Sequence, residues 1–256
     1  MNGRDAWIRR AGVSAQVQVA ADGTVLHAGA RIPEQDVLWQ VPPHGMVIGV
    51  ALNLRAQLQR LDVQFHAQPY LNPPQTPVLF IKPENTLNAH RAPVPMPPDA
   101  GVIQPGAALG IVIGRRARRV PARDAMSFIK GYTLCNDFSL PETGYFRPPV
   151  RSKCFDGSGC LGPVRVTSAL LPEPQALELR TFVNGILRQR VSLTDLAWNI
   201  PALMEFITGF MTLDDNDTIF TGLPDERVDV GPGDEVAVEA KGLGRLCNRV
   251  IAAGVP

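Results

Sequence analysis

The sequence predicts a mainly β protein with several short helices, in the α+β class. The 24 prolines and 23 glycines of the 256-residue chain are spread along its length, and that distribution is typical of many turns between short strands. Apolar and polar residues alternate in several segments, as they do in strands with one buried face. Helical spacing occurs only in short segments, and no internal repeat or heptad pattern is present.

The first 45 residues predict a small β appendage. Residues 15–19 alternate as a strand, residues 21–23 are typical of a turn, and residues 24–27 predict a second strand. We therefore divide the chain into an N-terminal appendage at residues 1–45 and a main domain at residues 46–256.

The first half of the main domain predicts strands joined by two helices and two long loops. Apolar residues recur at helical spacing over residues 54–65, and a shorter helix over residues 123–129 is entered through Pro121. Residues 91–106 are rich in proline and glycine and predict a loop, and residues 139–163 predict a long irregular stretch of the kind that often carries function. The predicted strands cover residues 46–52, 78–81, 109–113 and 131–135.

The last third predicts a hairpin, a capped helix and two closing strands. Asn184-Gly185 joins the hairpin strands, the first of which covers residues 177–183. Asn199 predicts the cap of a helix over residues 200–211, with Pro201 in its first turn. The closing strands cover residues 234–240 and 246–250.

Composition excludes several classes of function. The formal net charge is +1, so no overall field attracts nucleic acid or an anionic membrane. No apolar run approaches the roughly 20 residues that span a bilayer, and the N-terminus lacks the apolar core of a signal peptide. We therefore expect a cytoplasmic protein.

Two local patterns suggest nucleotide or nucleic-acid binding, but each has a plainer interpretation. Residues 157–162 fit the letters of a dinucleotide fingerprint, yet Pro163 and a strand-like segment follow where a helix is required. The arginines between Arg115 and Arg123 have no interleaved aromatic residues. They are typical of a solvated surface or of an edge that pairs with an acidic partner.

An ordered set of motifs resembles the fumarylacetoacetate hydrolase family. The most recognisable segment is Gly-Tyr-Thr-Leu-Cys-Asn-Asp at residues 131–137. The resemblance covers about four fifths of the chain, and it implies that family's mixed β-sandwich or roll. The other matching motifs lie at residues 49–53, 80–82, 111–115, 151–153, 162–163, 181–185, 211–213, 221–222, 233–234 and 242–246.

Within the family, residues 146–148, 153–154 and 180–185 resemble the N-terminal half of the bifunctional isomerase/decarboxylase of 4-hydroxyphenylacetate (homoprotocatechuate) degradation. That resemblance implies a lyase or isomerase acting on unsaturated 2-oxo diacids. The implied reactions are decarboxylation of 5-oxopent-3-ene-1,2,5-tricarboxylate and isomerisation of 2-hydroxyhepta-2,4-diene-1,7-dioate. It also implies a homodimer, or a heterodimer with a homologous metal-binding subunit, and neither a nucleic-acid nor a membrane partner.

The resemblance implies a magnesium site that this sequence only partly retains. The family holds its ion with two glutamates one residue apart and with the aspartate of the Asn-Asp motif. Here the aspartate is Asp137, but Gly106 and Ala108 replace the glutamates. Because hard cations need several oxygen ligands, we expect magnesium to bind weakly or not at all, through Asp137 alone.

The remaining polar residues of the motifs form the predicted site. The resemblance assigns Lys153 and Asp137 to catalysis and Lys82, Arg151 and Thr221 to substrate binding. Arg147 and Arg151 are alternative partners for the substrate carboxylates. Two further departures from the family are Gln57, where many members have a histidine base, and Leu223, where a threonine is usual.

Purely structural interpretations of two of these residues are also possible. Asp137 is also typical of a turn at a strand end, and Lys153 of a solvated surface. The lost ligands favour a second function, in which the chain is a catalytically silent structural half paired with a metal-binding homologous subunit. Activity of the isolated chain distinguishes the two functions.

Overall fold

Strands dominate the computed structural model, which describes residues 3–10, 12–142, 144–224 and 226–254. Strands hold 41% and helices 19% of the residues, so the predicted mainly β class is confirmed. The strands are β1 Arg4–Arg10, β2 Val13–Val19, β3 Val25–His27, β4 Ala30–Ile32, β5 Leu38–Trp39, β6 Val47–Ala51, β7 Val78–Lys82, β8 Leu87–Asn88, β9 Val94–Met96, β10 Ala107–Ile113, β11 Ile129–Asp137, β12 Gly159–Thr167, β13 Glu178–Val183, β14 Ile186–Ser192, β15 Thr218–Phe220, β16 Glu235–Ala240 and β17 Gly244–Ala252.

Helices are short and lie mostly at strand ends. The α-helices are α1 Arg55–Arg60, α2 Asp62–Phe65, α3 Val150–Lys153 and α4 Ile200–Phe210. The 3-10 helices are Glu34–Asp36, Glu84–Thr86, Ala122–Phe128, Ser168–Leu170, Pro174–Ala176 and Leu193–Asp195. Among the described residues, no helix is long and apolar enough to cross a membrane.

The strands form two sheets that pack on each other. The larger sheet has the order β4-β3-β2-β1-β12-β11-β10-β15-β6-β7, with β5 beside β1 and β8 beside β12. The smaller sheet has the order β14-β13-β16-β17-β9. Strands β10 and β11 contact β13 and β16, and the main core lies there, with Leu109, Tyr132, Leu179 and Val238 buried between the sheets.

Side-chain alternation leaves the opposite face of the larger sheet for a second, smaller core. Ala108 of β10 lies opposite Cys135 of β11, and both pack with Phe80 and Leu223 on that face. Because residues two apart on a strand share a face, Asp137 lies on the same face as Cys135. Gly106 precedes β10 by one residue and donates its backbone N–H to Asn136 Oδ1 at 2.9 Å. The strand ends that carry the metal-ligand positions therefore meet at one edge of this face.

Several predicted elements are confirmed by the structure. The hairpin of β13 and β14 turns at Asn184-Gly185, where both residues have positive φ. The Asn199 side chain caps α4 by accepting from Ala202 N at 3.0 Å. The segment at 157–162 runs into β12 and not into a helix, so it lacks the context of a dinucleotide site.

Three predicted elements are wrong in part. The predicted helix at 54–65 is divided into α1 and α2, because the chain turns at Leu61, whose ψ of 0° departs from the helical value. The predicted loop 91–106 contains β9, a strand at the edge of the smaller sheet. Pro95 is tolerated there, because proline has no backbone N–H and an edge strand needs hydrogen bonds on one side only. The irregular stretch 139–163 contains α3 and the first half of β12.

The N-terminal strands extend the larger sheet. Strand β1, which the sequence did not predict, pairs antiparallel with β12 and places Ala6 opposite Val164. Strands β2, β3 and β4 then add outward from β1. The division at residue 45 stays a prediction, and the outer ends of the two predicted domains, residues 1–2 and 255–256, lie outside the described residues.

Asn53 joins three segments next to the second core. Its Oδ1 accepts from Trp198 N at 2.8 Å and its Nδ2 donates to Trp198 O at 3.1 Å and to Thr221 O. The side chain is fully buried, so water cannot replace these bonds. Asn53 thereby fixes the entry to α4 against the end of β15.

We predict that Asn53→Ala lowers the free energy of unfolding by about 3 kcal/mol, because it leaves buried backbone groups without partners. Urea unfolding measures the loss. The matched control is Asn199→Ala, which removes an exposed helix cap and costs about 1 kcal/mol. Equal losses in the two variants would contradict the role given to Asn53.

Candidate active site

A buried carboxylate holds two buried lysines at the end of β11. Asp137 Oδ1 lies 2.9 Å from Lys82 Nζ, and Asp137 Oδ2 lies 3.0 Å from Lys153 Nζ. All three side chains are at most 1% exposed. We name these three residues the Asp137 cluster. Ions so deeply buried are tolerated when they are paired and hydrogen-bonded.

Each lysine reaches the cluster from the end of its own element. Lys82 is the last residue of β7 and Lys153 the last residue of α3. Lys82 Nζ also donates to Ser158 Oγ at 2.8 Å and to Lys153 O, and Ser158 Oγ donates to Lys153 O at 3.0 Å. A Cβ at Gly159 would lie 2.8 Å from Lys82 Cε, so the glycine leaves room for the buried lysine.

The charges in the cluster control its protonation. Burial raises the pKa of the Asp137 carboxyl, but the positive charges of Lys153, Lys82 and Arg227 outweigh burial and lower it from 3.8 to about 2. Burial lowers the pKa of the Lys153 ammonium, and the Asp137 and Glu142 carboxylates only partly offset that effect. Burial thus opposes the charged form of Lys153, while the lysines favour the charged form of Asp137.

A small cavity lies beside the cluster and carries two arginines. Its volume is about 180 Å³, and it is lined by Ala51, Leu52, Gln57, Arg60, Gln104, Glu142, Tyr145, Leu223 and Arg227. We name it the arginine cavity. Glu142 connects it to the cluster, because its Oε2 lies 3.4 Å from Lys153 Nζ. Lys153 also lies over the Phe80 ring, with Nζ 4.8 Å from the ring centroid.

The structure brings three of the five predicted site residues into one ion cluster. Lys82, Asp137 and Lys153 are in direct contact. Thr221 is fully buried, and its backbone oxygen accepts from the Asn53 side chain. Arg151 is different, because its side chain is 78% exposed and pairs with Asp99 at the surface.

The plainer readings of two site residues are wrong. Asp137 lies within β11 and is fully buried, so it does not serve as a turn former. Lys153 is also fully buried and not solvated. The alternative carboxylate partner Arg147 stacks against the ring of its neighbour Phe146, with Cζ 5.3 Å from the ring centroid.

The positions of the family's metal ligands offer no further oxygen to a cation. Gly106 and Ala108 have no donor side chain, and both oxygens of Asp137 face lysine ammonium groups. A Cβ at Gly106 would lie 2.7 Å from Asp137 O and 3.3 Å from Arg227 Nη2. In the part of the chain that is described, no three His, Cys, Asp or Glu side chains converge as a metal-binding group. These residues do not fit the family's magnesium site.

Sequence reasoning missed three residues of the cavity. Glu142, Arg60 and Arg227 lie outside the motifs that carry the resemblance, and each comes from a different loop or helix. The sequence does hold an indirect signal for Arg227, because glycine at position 106 leaves space that another side chain can occupy. Nothing in the spacing of the arginines identifies which one does so.

We predict that Asp137→Asn lowers the free energy of unfolding by about 3–5 kcal/mol, because the buried Lys82 and Lys153 side chains lose the carboxylate that pairs with both. Urea unfolding near neutral pH measures it. The control is Asp99→Asn, which breaks the exposed pair with Arg151 and costs less than about 1 kcal/mol. A loss in Asp137→Asn as small as that of the control would contradict the buried pairing.

We also predict that the advantage of the wild type over Asp137→Asn disappears in acid. The pKa of Asp137 is lower in the folded state, so its contribution is fully present above its ordinary value of 3.8 and is lost as the pH falls toward about 2. The free energy of unfolding of the wild type and of Asp137→Asn, measured as a function of pH, tests this. A gap that stays constant through that window would show that the Asp137 charge is not the source of the stability.

Comparison with known proteins gives the family of the chain. The fumarylacetoacetate (FAA) hydrolase C-terminal family matches residues 46–251. The 4-hydroxyphenylacetate degradation bifunctional isomerase/decarboxylase of Escherichia coli is 38% identical over 212 residues, which are 82% of this chain and 48% of that protein. The chain thus spans about half the length of the curated relatives it matches.

Solved structures share the whole fold. The 5-carboxymethyl-2-hydroxymuconate delta-isomerase from Mycobacterium smegmatis has a TM-score of 0.82 and 32% identity, and the match covers 98% of this chain and 100% of that one. Maleylpyruvate hydrolase from Sphingobium sp. SYK-6, in complex with manganese(II) ion and pyruvate, has a TM-score of 0.73 and 26% identity, covering 88% and 78%. The predicted fold type is therefore confirmed, and the chain belongs to the fumarylacetoacetate hydrolase family.

Proposed function

We propose that the chain is a decarboxylase/isomerase subunit acting on unsaturated 2-oxo diacids in aromatic catabolism. The substrates in view are 5-oxopent-3-ene-1,2,5-tricarboxylate and 2-hydroxyhepta-2,4-diene-1,7-dioate. The names of the Escherichia coli and Mycobacterium smegmatis relatives support this class of reaction. The observation that carries the proposal is the Asp137 cluster beside a cavity with two arginines, since substrates with two or three carboxylates need such positive charge.

The residues of the site suit the chemistry of such a substrate. Loss of carbon dioxide breaks a carbon–carbon bond and leaves its electron pair on the substrate as a dienolate. The positive charge of Lys153 stabilises the developing oxyanion. Glu142 faces the cavity and pairs with Lys153, so it is placed to transfer a proton to or from a substrate carbon. Isomerisation needs the same proton transfer without loss of carbon dioxide.

We infer that magnesium binds this chain weakly or not at all. The Sphingobium neighbour holds manganese(II) with pyruvate, and a divalent ion there would polarise the oxo-acid end of a substrate. In this chain Asp137 is the one acidic residue at the family's three ligand positions, and its two oxygens already pair with Lys82 and Lys153. An ion would have to displace those ammonium groups.

We further propose that the chain works with a second copy of the fold. It matches about half of the Escherichia coli protein, so the remaining length of that protein can hold a second domain. The partner would be another copy of this chain or a homologous subunit that keeps the metal ligands, and this chain would be the N-terminal type. A cytoplasmic location remains a prediction from the sequence.

A catalytically silent half is the alternative function. The absence of donor side chains at Gly106 and Ala108 and the glutamine at position 57 favour it. In that case the Asp137 cluster only stabilises the fold, and the partner subunit performs all the chemistry. The two functions differ in whether Lys153 matters for turnover.

We predict that the purified chain decarboxylates 5-oxopent-3-ene-1,2,5-tricarboxylate and that a chelator does not abolish the activity. Carbon dioxide release, measured with magnesium and then with chelator, tests this. Lys153→Met should lower kcat by about 10²–10³, the typical cost of losing one group that stabilises an oxyanion. The control is Lys241→Met, which changes an exposed lysine in the turn between β16 and β17 and should keep full activity.

Each outcome is informative. Activity that requires magnesium would show that the metal inference is wrong. Inactivity that is relieved by adding a homologous metal-binding subunit would establish the silent half. Lysine variants that unfold are recognised by urea unfolding, and Lys153→Arg then tests whether a cation alone is sufficient.

A further inference from the structure

Arg227 lies against Gly106, the position that the resemblance assigns to the family's first metal-binding glutamate. A Cβ added to Gly106 would lie 2.7 Å from the Asp137 backbone oxygen, 3.1 Å from Leu223 Cδ2 and 3.3 Å from Arg227 Nη2. A side chain at position 106 would therefore meet the Asp137 backbone first and then the Arg227 guanidinium. A fixed cation therefore stands where related enzymes need an anion to hold their metal.

The Arg227 guanidinium is anchored on one side and faces the cavity on the other. Its Nη1 donates to Ser139 Oγ, and Ser139 is fully buried. The Ser139 backbone in turn pairs with Gln104 in both directions, at 2.8 and 3.0 Å. A guanidinium has five N–H donors in a planar fork, so the bond to Ser139 leaves others to face the arginine cavity, which Arg227 lines.

The cavity favours the charged end of a ligand over a whole diacid. At about 180 Å³ it is smaller than the roughly 300–1,000 Å³ of sites that enclose drug-sized ligands. Arg227 lines it, and Glu142, the only carboxylate among the described lining residues, pairs with Lys153. The balance of charge suits a carboxylate.

Gln57 gives independent evidence for a ligand with a hydroxyl group. It lines the same cavity, is 5% exposed, and its Oε1 has no hydrogen-bond partner among the described residues. A buried amide oxygen without a donor is costly. A ligand that donates from a hydroxyl next to its carboxylate would satisfy it.

We propose that the arginine cavity binds the 2-hydroxy-2-enoate end of 2-hydroxyhepta-2,4-diene-1,7-dioate, the dienol substrate of the isomerisation, without a metal. Arg227 pairs with the carboxylate through two parallel N–H···O bonds, and Gln57 Oε1 accepts from the 2-hydroxyl group. The cavity thereby selects the enol tautomer, because the 2-oxo tautomer has no hydroxyl to donate. This inference rests on the proposed function for the identity of the diacid, but the binding itself can be measured without turnover.

The test compares two probes that differ in one hydroxyl group. Titration calorimetry in the presence of a chelator measures 2-hydroxyglutarate and glutarate binding to the full chain. Arg227→Met should weaken both probes by roughly 10- to 100-fold, because a charge-assisted pair is lost. Arg227→Lys should recover only part of that loss, since lysine cannot form the bidentate pair.

Gln57→Leu separates the hydroxyl from the carboxylate. The wild type should prefer 2-hydroxyglutarate, and the leucine variant should bind the two probes equally. Arg188→Met, which changes an exposed arginine on β14, is the matched control and should leave both affinities unchanged. Urea unfolding of each variant shows that the folded protein is being titrated.

Three results would overturn the proposal. They are binding by the wild type only after magnesium is added, no binding of either probe, and unchanged affinity in Arg227→Met. Failure of the proposed function looks different. In that case the expected binding pattern appears, but no carbon dioxide is released from the tricarboxylate.

Discussion

The pairing of Asp137 with Lys82 and Lys153 is the interaction on which the rest of the site depends. One buried carboxylate joins the ends of β7, β11 and α3, which are far apart in the sequence. Two lysine side chains buried this deeply are costly to the fold unless a carboxylate pairs with them. The neighbouring Gly159 and Ser158 follow from the same constraint, because one leaves space for Lys82 and the other accepts one of its hydrogen bonds.

The same interaction limits what else the carboxylate can do. A carboxylate that serves two ammonium groups has little capacity left for a divalent ion, and a third cation, Arg227, also acts on it. Retention of Asp137 is therefore explained by the lysines even without a metal. In this structure the aspartate of the family motif is the counter-ion of the two lysines.

The sequence predicted elements whose signals are local. The Asn184-Gly185 turn and the Asn199 cap depend on residues within a few positions of one another, and both are confirmed. Strand β9 and the start of β12 were missed, because Pro95, Gly159 and Gly162 are typical of loops. They become strands only through pairing with β17 and β11, which no local pattern reveals.

The candidate site was predictable in part for the same reason. Motif positions identified Lys82, Asp137 and Lys153, and the structure places them in contact. Arg227 and Glu142 could not be identified, since their position follows from the meeting of separate loops around Gly106 and Lys153. Arg151 instead lies at the surface, where it pairs with Asp99, which is 52 residues earlier in the chain.

Charge balance connects the missing ligands to the arginine cavity. Two glutamates and one divalent ion carry opposite charges of equal size, so losing all three together leaves the net charge of the site unchanged. Losing the glutamates alone would leave the ion facing Lys82 and Lys153 with too few anions around it. Without an ion, the Arg227 guanidinium next to Gly106 is the cation that our proposal assigns to the substrate carboxylate. In our proposal the missing glutamates and this arginine belong together, because recognition of the substrate carboxylate through a metal is replaced by recognition through a guanidinium.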